Sequence, residues 1–211
     1  ASGAGAAGAG SVGGGAAAGV SDARGDAYGD DGVARLAKAL GNTSDYDVLM
    51  KRRLKILDER GLKLSDITDV IATMDPLPGA KEFMDWLRSV SQLIVVSDTF
   101  LEFAGPLMKK LGMPTLFCHN LEIDDRGFVR DYTLRQPDAK RKTVQALKGL
   151  NYRVIAFGDS YNDVNMLKEA DKGFLFCPPQ NVIDEFPQFP VTLEYDDLRL
   201  KIEKALADLR Q

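Results

Sequence analysis

The stretch RVIAFGDSYND, residues 153–163, decides the fold of this 211-residue chain. Arg153–Phe157 contains a continuous apolar run of strand length, which is typical of a parallel strand buried on both faces. A glycine and a polar turn follow at once, and a helix is predicted over 163–170. Ligands in parallel sheets bind beyond the carboxyl ends of the strands, so the polar turn is where we expect chemistry.

The same alternation of buried strands and helices extends on both sides of this stretch. Further strands are predicted at Leu93–Val96, Leu116–Cys118, Leu121–Ile123 and Phe174–Phe176, with a hairpin turn at Asp124–Gly127. Further helices are predicted at 44–61, where Ser44 begins a capping box, and at 65–73, 80–89, 100–111, 139–150, 180–186 and from about 195. The pattern predicts an α/β fold, a doubly wound (Rossmann-like) parallel sheet with a small helical cap insert.

The first segment of the chain has a different composition. Residues 1–32 contain 11 glycines and 10 alanines and no Leu, Ile, Met, Phe or Trp, so we expect disorder. We also expect that such a segment cannot replace a Val-, Leu- or Ile-rich central strand. The predicted organisation is an atypical segment over 1–43, a helical cap over 44–76 and the core over 77–211.

Composition excludes several classes of protein. The net charge of −4 comes from interspersed acids and bases, which predicts no nucleic-acid surface and no polybasic membrane patch. The apolar runs are far shorter than the roughly 20 residues of a membrane span. Cys118 and Cys177 lie in apolar runs and are interpreted as buried, reduced thiols. We therefore expect a soluble, cytoplasmic protein.

The turn after Phe157 has the residue types of a magnesium and phosphate site. Asp159 and Asp163 are one helical turn apart, so both carboxylates can face one site, and hard anionic oxygens suit Mg²⁺. The amide of Asn162 can donate to phosphate. The alternative is a glycine turn with an acid placed favourably near a helix N-terminus.

Two further positions fit an anion. Ser97, followed by Asp98 and Thr99, comes directly after Leu93–Val96, where a serine hydroxyl beside free helix N–H groups suits a phosphate oxygen. The alternative is an N-cap formed by Asp98 or Thr99. Lys140 begins a predicted helix, where a cation is unfavourable unless an anion also lies there. The alternative is that Lys140 belongs to a solvated basic turn.

Together these motifs resemble those of the haloacid-dehalogenase superfamily. Residues 96–100, Lys140 and residues 158–163 are similar to its motifs II, III and IV, and residues 45–53 are similar to the helical cap of phosphoserine phosphatases. The resemblance covers about residues 44–200 and is greatest to the bifunctional phosphoserine phosphatase/homoserine phosphotransferase branch.

The resemblance implies roles for individual residues. Phosphate would be bound by Ser97, with Asp98 and Thr99 in the same segment, by Lys140 and by Asn162. Asp159 would bind Mg²⁺ with support from Asp163, and Lys140 and Asp159 would be the catalytic residues. From the cap, Arg53 and Tyr46 would contact the amino-acid end of the substrate. Arginine suits this role because its planar fork matches a carboxylate, although Arg53 can also be a surface charge.

The family's first motif, Asp-x-Asp/Glu-Gly, is missing. Its leading aspartate attacks phosphorus, but the nearest fragment, Gly29–Val33, has glycine at the nucleophile position and no apolar strand before it. The nucleophile is therefore unknown. We hypothesise that the stretch before about Ser44 is a misread, frame-shifted version of the original start, which translation of the other two reading frames tests.

Several functions follow from this pattern. The leading one is Mg²⁺-dependent hydrolysis of O-phosphoserine, as in serine biosynthesis, with phosphotransfer to homoserine as a neighbouring possibility. The alternative is a catalytically inactive phosphate-binding protein or a truncated or frame-shifted pseudo-enzyme. The small-molecule partner is then a phosphorylated amino acid, and a homodimer is left open. Phe186–Pro190 is interpreted as a packed irregular connection, with a contribution to a dimer contact as the alternative. His119 is interpreted as a structural or hairpin residue.

Overall fold

The computed structural model describes residues 6–10 and 43–210. The strands are β1 (Ala6–Gly10), β2 (Gln92–Phe100), β3 (Thr115–Ile123), β4 (Val129–Thr133), β5 (Arg153–Gly158), β6 (Lys172–Phe176) and β7 (Val191–Thr192). The helices are α1 (Thr43–Glu59), α2 (Leu64–Thr73), α3 (Ala80–Val90), α4 (Leu101–Lys110), α5 (Ala139–Gly149), α6 (Tyr161–Glu169), α7 (Gln180–Glu185) and α8 (Tyr195–Leu209).

The strands form one sheet in the order β4-β3-β2-β1-β5-β6-β7. All neighbouring pairs are parallel except β3 and β4, which form an antiparallel hairpin. Helices alternate with the strands along the chain, so the expected doubly wound α/β fold is confirmed.

The apolar strands are continuous because both of their faces are buried. On β2, Val95 packs in a cluster with α3, α4 and α8, whereas its neighbour Val96 packs in a second cluster with α5 and α6. On β5, Ile155 likewise joins the first cluster and Ala156 the second. Since successive side chains of a strand point to opposite faces, helices cover the sheet on both sides.

The strand β1 corrects one expectation. Ala6–Gly10 lies in the middle of the sheet and pairs with β2 on one side and β5 on the other, with Gly8 opposite both Leu93 and Ile155. Strand formation here needs only backbone hydrogen bonds, which the two flanking strands provide on both sides. The expectations that residues 6–10 are disordered and that a Gly/Ala segment cannot fill the central position are therefore wrong. The rest of 1–43 lies outside the described residues, except for Thr43 at the start of α1.

The hairpin also differs from the prediction. Two short strands were expected at Leu116–Cys118 and Leu121–Ile123, but β3 is one continuous strand that bridges them. The turn at Asp124–Gly127 is confirmed, because the Asp124 carboxylate accepts the N–H groups of Arg126 and Phe128. The return strand β4 completes the hairpin.

The helices α1 and α2 lie over this hairpin. A third apolar cluster joins Met50 of α1 to Phe100, Leu121 and Val129. The α1–α2 loop is fixed to the hairpin tip by a bridge between Lys63 and Phe128 and by a 2.9 Å bond from the Leu64 N–H to the Gly127 carbonyl. The segment predicted as a cap is thus attached beside the carboxyl end of β2.

Candidate functional site

Asp163 is the buried centre of the polar cluster beyond β5. Its Oδ2 accepts the N–H of Asp159 at 3.0 Å, the N–H of Ser160 at 3.2 Å and the Ser160 hydroxyl at 3.1 Å. Its Oδ1 accepts a 2.9 Å hydrogen bond from Lys140 Nζ. The carboxylate is fully buried, so these four donors offset the cost of removing its charge from water.

The lack of a side chain at Gly158 makes room for the Asp163 carboxylate. Gly158 ends β5 directly against Asp163, and a Cβ at Gly158 would lie 2.5 Å from Asp163 Oδ2. Only glycine fits at this position without a shift of the strand or the helix. The spacing of Gly158 and Asp163 in the sequence thus has a packing reason as well as a chemical one.

Lys140 is buried between two carboxylates. Besides Asp163, its Nζ lies 3.1 Å from Asp98 Oδ2. Burial alone would lower the pKa of Lys140, but the charges of Asp163 and Asp98 and their hydrogen bonds outweigh it and raise the pKa. The group is therefore an ammonium at neutral pH, and with two of its three N–H groups directed at carboxylates it keeps one for a ligand.

Asp159 is the carboxylate that has an open oxygen. Its Oδ1 is buried and has no hydrogen-bond partner among the described residues. Burial and, after it, the negative charge of Asp163 raise the pKa of Asp159 to about 6, although the charge of Lys140 opposes the shift. A buried carboxylate oxygen without a hydrogen-bond partner is suited to bind a cation.

The end of β2 supplies Ser97, Asp98 and Thr99. The Ser97 Oγ accepts the Thr99 N–H at 3.2 Å, which leaves the serine hydroxyl proton available. For Asp98, burial would raise the pKa, but the neighbouring His119 ring and the Lys140 ammonium outweigh it and lower the pKa. Asp98 is therefore ionised, and its carboxylate faces Lys140.

The cap contributes Tyr46 and Arg53. The Tyr46 hydroxyl lies 3.4 Å from the Asp98 carbonyl oxygen, and its ring packs edge-on against Tyr132. Burial and, after it, the charge of Asp98 raise the pKa of Tyr46 to about 12, although the positive charges of Arg53 and Lys140 act in the opposite direction. Tyr46 thus stays a neutral donor, and exposed Arg53 lies within electrostatic reach of it.

The structure thus brings together the sequence-predicted residues from three separate parts of the chain. Asp98, Lys140, Asp159 and Asp163 form one connected cluster, with Ser97 beside it and Tyr46 above it. Asn162 is exposed at the first turn of α6, and its side chain makes no hydrogen bond to the cluster among the described residues. In the described part of the chain no group of three or more His, Cys, Asp or Glu side chains could hold a metal ion.

Two residues, Asp98 and His119, have contacts in the site that the sequence did not predict. Asp98 was proposed only as part of a phosphate-binding segment or as an N-cap, yet it is the second ion-pair partner of Lys140. His119 was interpreted as a hairpin residue, yet its Nε2 lies 3.7 Å from Asp98 Oδ1. Ser160 has a visible signal, because Ser-x-x-Asp at the start of a helix is typical of a capping arrangement.

This fold and this cluster define an α/β protein with a charged site at the carboxyl ends of its central strands. A family model described as haloacid dehalogenase-like hydrolase matches residues 22–171. The chain is 59% identical over 174 residues to phosphoserine phosphatase ThrH of Pseudomonas aeruginosa, a match that covers 82% of this chain and 85% of the relative. It is 56% identical to a phosphoserine phosphatase of Pseudomonas syringae pv. tomato, covering 82% and 73%.

The solved structures agree on the fold. An apo phosphoserine phosphatase superposes with a TM-score of 0.56 at 24% identity, covering 82% of this chain and 89% of the other. The chain belongs to the haloacid dehalogenase-like hydrolase family. Within the residues that the structure describes, no helix is both long and apolar enough to cross a membrane.

Proposed function

We propose that this chain is a Mg²⁺-dependent phosphatase that hydrolyses O-phospho-L-serine. The observation that carries the proposal is a buried Lys140 ammonium, ion-paired to Asp163, in the same cluster as an Asp159 oxygen that has no hydrogen-bond partner among the described residues, beyond the carboxyl end of β5. A cation bound at Asp159 and the ammonium of Lys140 would neutralise a dianionic phosphoryl group from two sides. The names of the two Pseudomonas relatives support phosphoserine as the substrate.

The donor set fits one Mg²⁺ ion held mainly by Asp159. Mg²⁺ takes only one or two carboxylates from a protein and keeps several waters, and Asp159 Oδ1 is a hard oxygen without a partner. Both oxygens of Asp163 already accept hydrogen bonds, so its role as a metal ligand stays a prediction, and we assign it the task of fixing Lys140 and the Asp159 backbone. When bound, the ion would supply positive charge to phosphoryl oxygens and the leaving group.

Charge explains why the site would need this ion. One ammonium, Lys140, faces three carboxylates, Asp98, Asp159 and Asp163, so the cluster is anionic without a metal. A phosphate dianion is repelled by such a cluster until a divalent cation binds. We therefore expect phosphate binding to depend on Mg²⁺.

The remaining residues bind the two ends of the substrate. The Ser97 hydroxyl and the third N–H of Lys140 would donate to phosphoryl oxygens, with Thr99 orienting Ser97. Asn162 is a further phosphate donor in the proposal. Arg53 would bind the substrate carboxylate as a fork, and Tyr46 would close over it from the cap. A cytoplasmic location, a role in serine biosynthesis and the open homodimer belong to the same proposal.

The attacking group is not assigned. The sequence after β1 continues Ser11-Val12-Gly13, and the first acidic residue of the chain is Asp22. That no aspartate nucleophile is present stays a prediction, because residues 11–42 lie outside the described residues. Turnover by this chain would require a group from that segment or water itself to attack phosphorus.

The test is release of inorganic phosphate from O-phospho-L-serine with and without Mg²⁺. O-Phosphoethanolamine, which lacks the carboxylate, tests the role of Arg53: Arg53→Ala should remove the preference for phosphoserine, whereas Arg60→Ala, another exposed cap arginine, should keep it. Adding homoserine and looking for phosphohomoserine separates transfer from hydrolysis. Phosphate binding without any release would contradict the proposal.

A further inference from the structure

His119 is a buried imidazole on β3, only 4% exposed, and it faces the charged cluster. Its Nδ1 accepts the backbone N–H of Arg135 at 3.2 Å. A ring nitrogen that accepts a hydrogen bond cannot carry the proton, so the neutral ring has its N–H at Nε2. This backbone contact fixes which edge of the ring is the donor.

The Nε2 edge faces Asp98. The distance from Nε2 to Asp98 Oδ1 is 3.7 Å, and the other oxygen, Oδ2, lies 3.1 Å from Lys140 Nζ. The first separation is longer than a hydrogen bond, so at this distance the N–H attracts the carboxylate electrostatically. Asp98 thus lies between the Nε2 edge of His119 and the Lys140 ammonium.

The two carboxylates that hold Lys140 are restrained unequally. Asp163 is fully buried and accepts four hydrogen bonds, whereas the Asp98 side chain is 35% exposed and its ion-pair partners are Lys140 and His119. An unrestrained Asp98 could turn to solvent or follow Lys140 into the phosphate position. The imidazole faces the Asp98 oxygen that Lys140 does not approach.

We propose that His119 is a positioning residue: through Asp98 it fixes the Lys140 ammonium where phosphate is to bind. The inference rests on the proposed function, since it concerns the same phosphate site. His119 itself contacts neither the phosphate position nor Asp159 in this account. It acts only by keeping the Asp98 carboxylate in place.

Two substitutions separate positioning from packing. His119→Phe keeps the ring volume beside Phe100 but removes the donor. His119→Gln keeps an N–H donor near the position of Nε2 and fills less of the space. If His119 only packs against its neighbours, His119→Phe should weaken phosphate binding less than His119→Gln. If His119 positions Asp98, His119→Gln should weaken it less.

The measurement is the affinity of the full chain for inorganic phosphate in the presence of Mg²⁺, by isothermal titration calorimetry. We expect His119→Phe to weaken phosphate binding about tenfold and His119→Gln to restore it to within about threefold of the wild type. In an Asp98→Asn background, His119→Phe should have no further effect, because the coupling runs through Asp98. Val129→Ala, a core change in the hairpin, is the control for destabilisation alone and should leave the affinity unchanged.

A second readout keeps the two proposals distinguishable. The ¹⁵Nζ resonance of buried Lys140 reports its ion pairs in the protein without ligand, and it should shift in His119→Phe and be retained in His119→Gln. If the wild type binds no phosphate, the proposed function fails and this resonance alone decides the inference. An unchanged Lys140 signal in His119→Phe, or equal loss of phosphate affinity in both variants, would overturn the role of His119.

Discussion

Replacing Gly158 by alanine tests whether Asp163 is held as rigidly as the geometry requires. The new Cβ would lie 2.5 Å from Asp163 Oδ2 and 2.6 Å from its Cβ, and it would also meet the carboxyl carbon. Carbon atoms do not approach this closely, so either the end of β5 or the start of α6 must move. Asp163 cannot turn away, because four donors and complete burial fix it.

The magnitude follows from two contributions. Forcing an extra methyl group into a well-packed interior costs about 1–3 kcal/mol. Loosening the hydrogen bonds to a buried charged acceptor adds about 1.5–3 kcal/mol. We therefore expect the free energy of unfolding to fall by about 4 kcal/mol, which lowers the melting temperature by about 8–16 °C in a domain of this size.

The assay is thermal and urea unfolding of the wild type, Gly158→Ala and the matched control Gly105→Ala. Gly105 lies inside α4, and a Cβ there would meet nothing within 4 Å, so the same substitution should stabilise by up to about 1 kcal/mol through helix propensity. We expect Gly158→Ala to lower the free energy of unfolding and Gly105→Ala to raise it. A Gly158→Ala protein within about 1 kcal/mol of the wild type would refute the rigid placement of Asp163.

Three further outcomes follow from the same cluster. Asp163→Asn leaves the buried Lys140 with one counter-charge, the partly exposed Asp98, and should cost about 3 kcal/mol in urea unfolding, whereas the exposed Asp208→Asn should be within about 0.5 kcal/mol of the wild type. The pKa of Asp159 is raised from 3.8 to about 6, so the folded metal-free chain binds more protons than the unfolded chain between these values. Its unfolding free energy should therefore fall as pH rises from about 4 to 6, and Asp159→Asn should flatten this slope. Mg²⁺ binding, followed by calorimetry, should weaken as pH is lowered from 7.5 to 5.5, and equal affinity at both values would contradict Asp159 as the ligand.

Sequence patterns predicted the elements whose burial is two-sided or periodic. Leu93–Val96 and Arg153–Phe157 have no polar interruption, and helices cover both of their faces, so their strand character could be predicted from the apolar run alone. The strand Ala6–Gly10 could not be predicted this way. Its position depends on backbone pairing with two distant strands, and the residue types of β1 carry no signal for that.

The site residues likewise divide into those that local sequence patterns predict and those that depend on contacts between distant parts of the chain. Ser97, Lys140, Asp159 and Asp163 could be predicted as candidates because they follow strands or begin helices at fixed places in a parallel sheet. The ion pair of Asp98 with Lys140 joins residues 42 positions apart and could not be predicted from spacing. The placement of His119 likewise depends on how β3 pairs with the irregular end of β2, where the register shifts between Val96 and Phe100.

A crystal structure of this chain with Mg²⁺ and tungstate, a phosphate mimic, would locate the metal ion and the oxyanion in the site. We expect the oxyanion to contact Ser97 Oγ and Lys140 Nζ and the metal ion to bind Asp159 Oδ1 on its other side. An oxyanion bound away from Lys140, or a metal ion that leaves Asp159 without a ligand, would contradict this expectation.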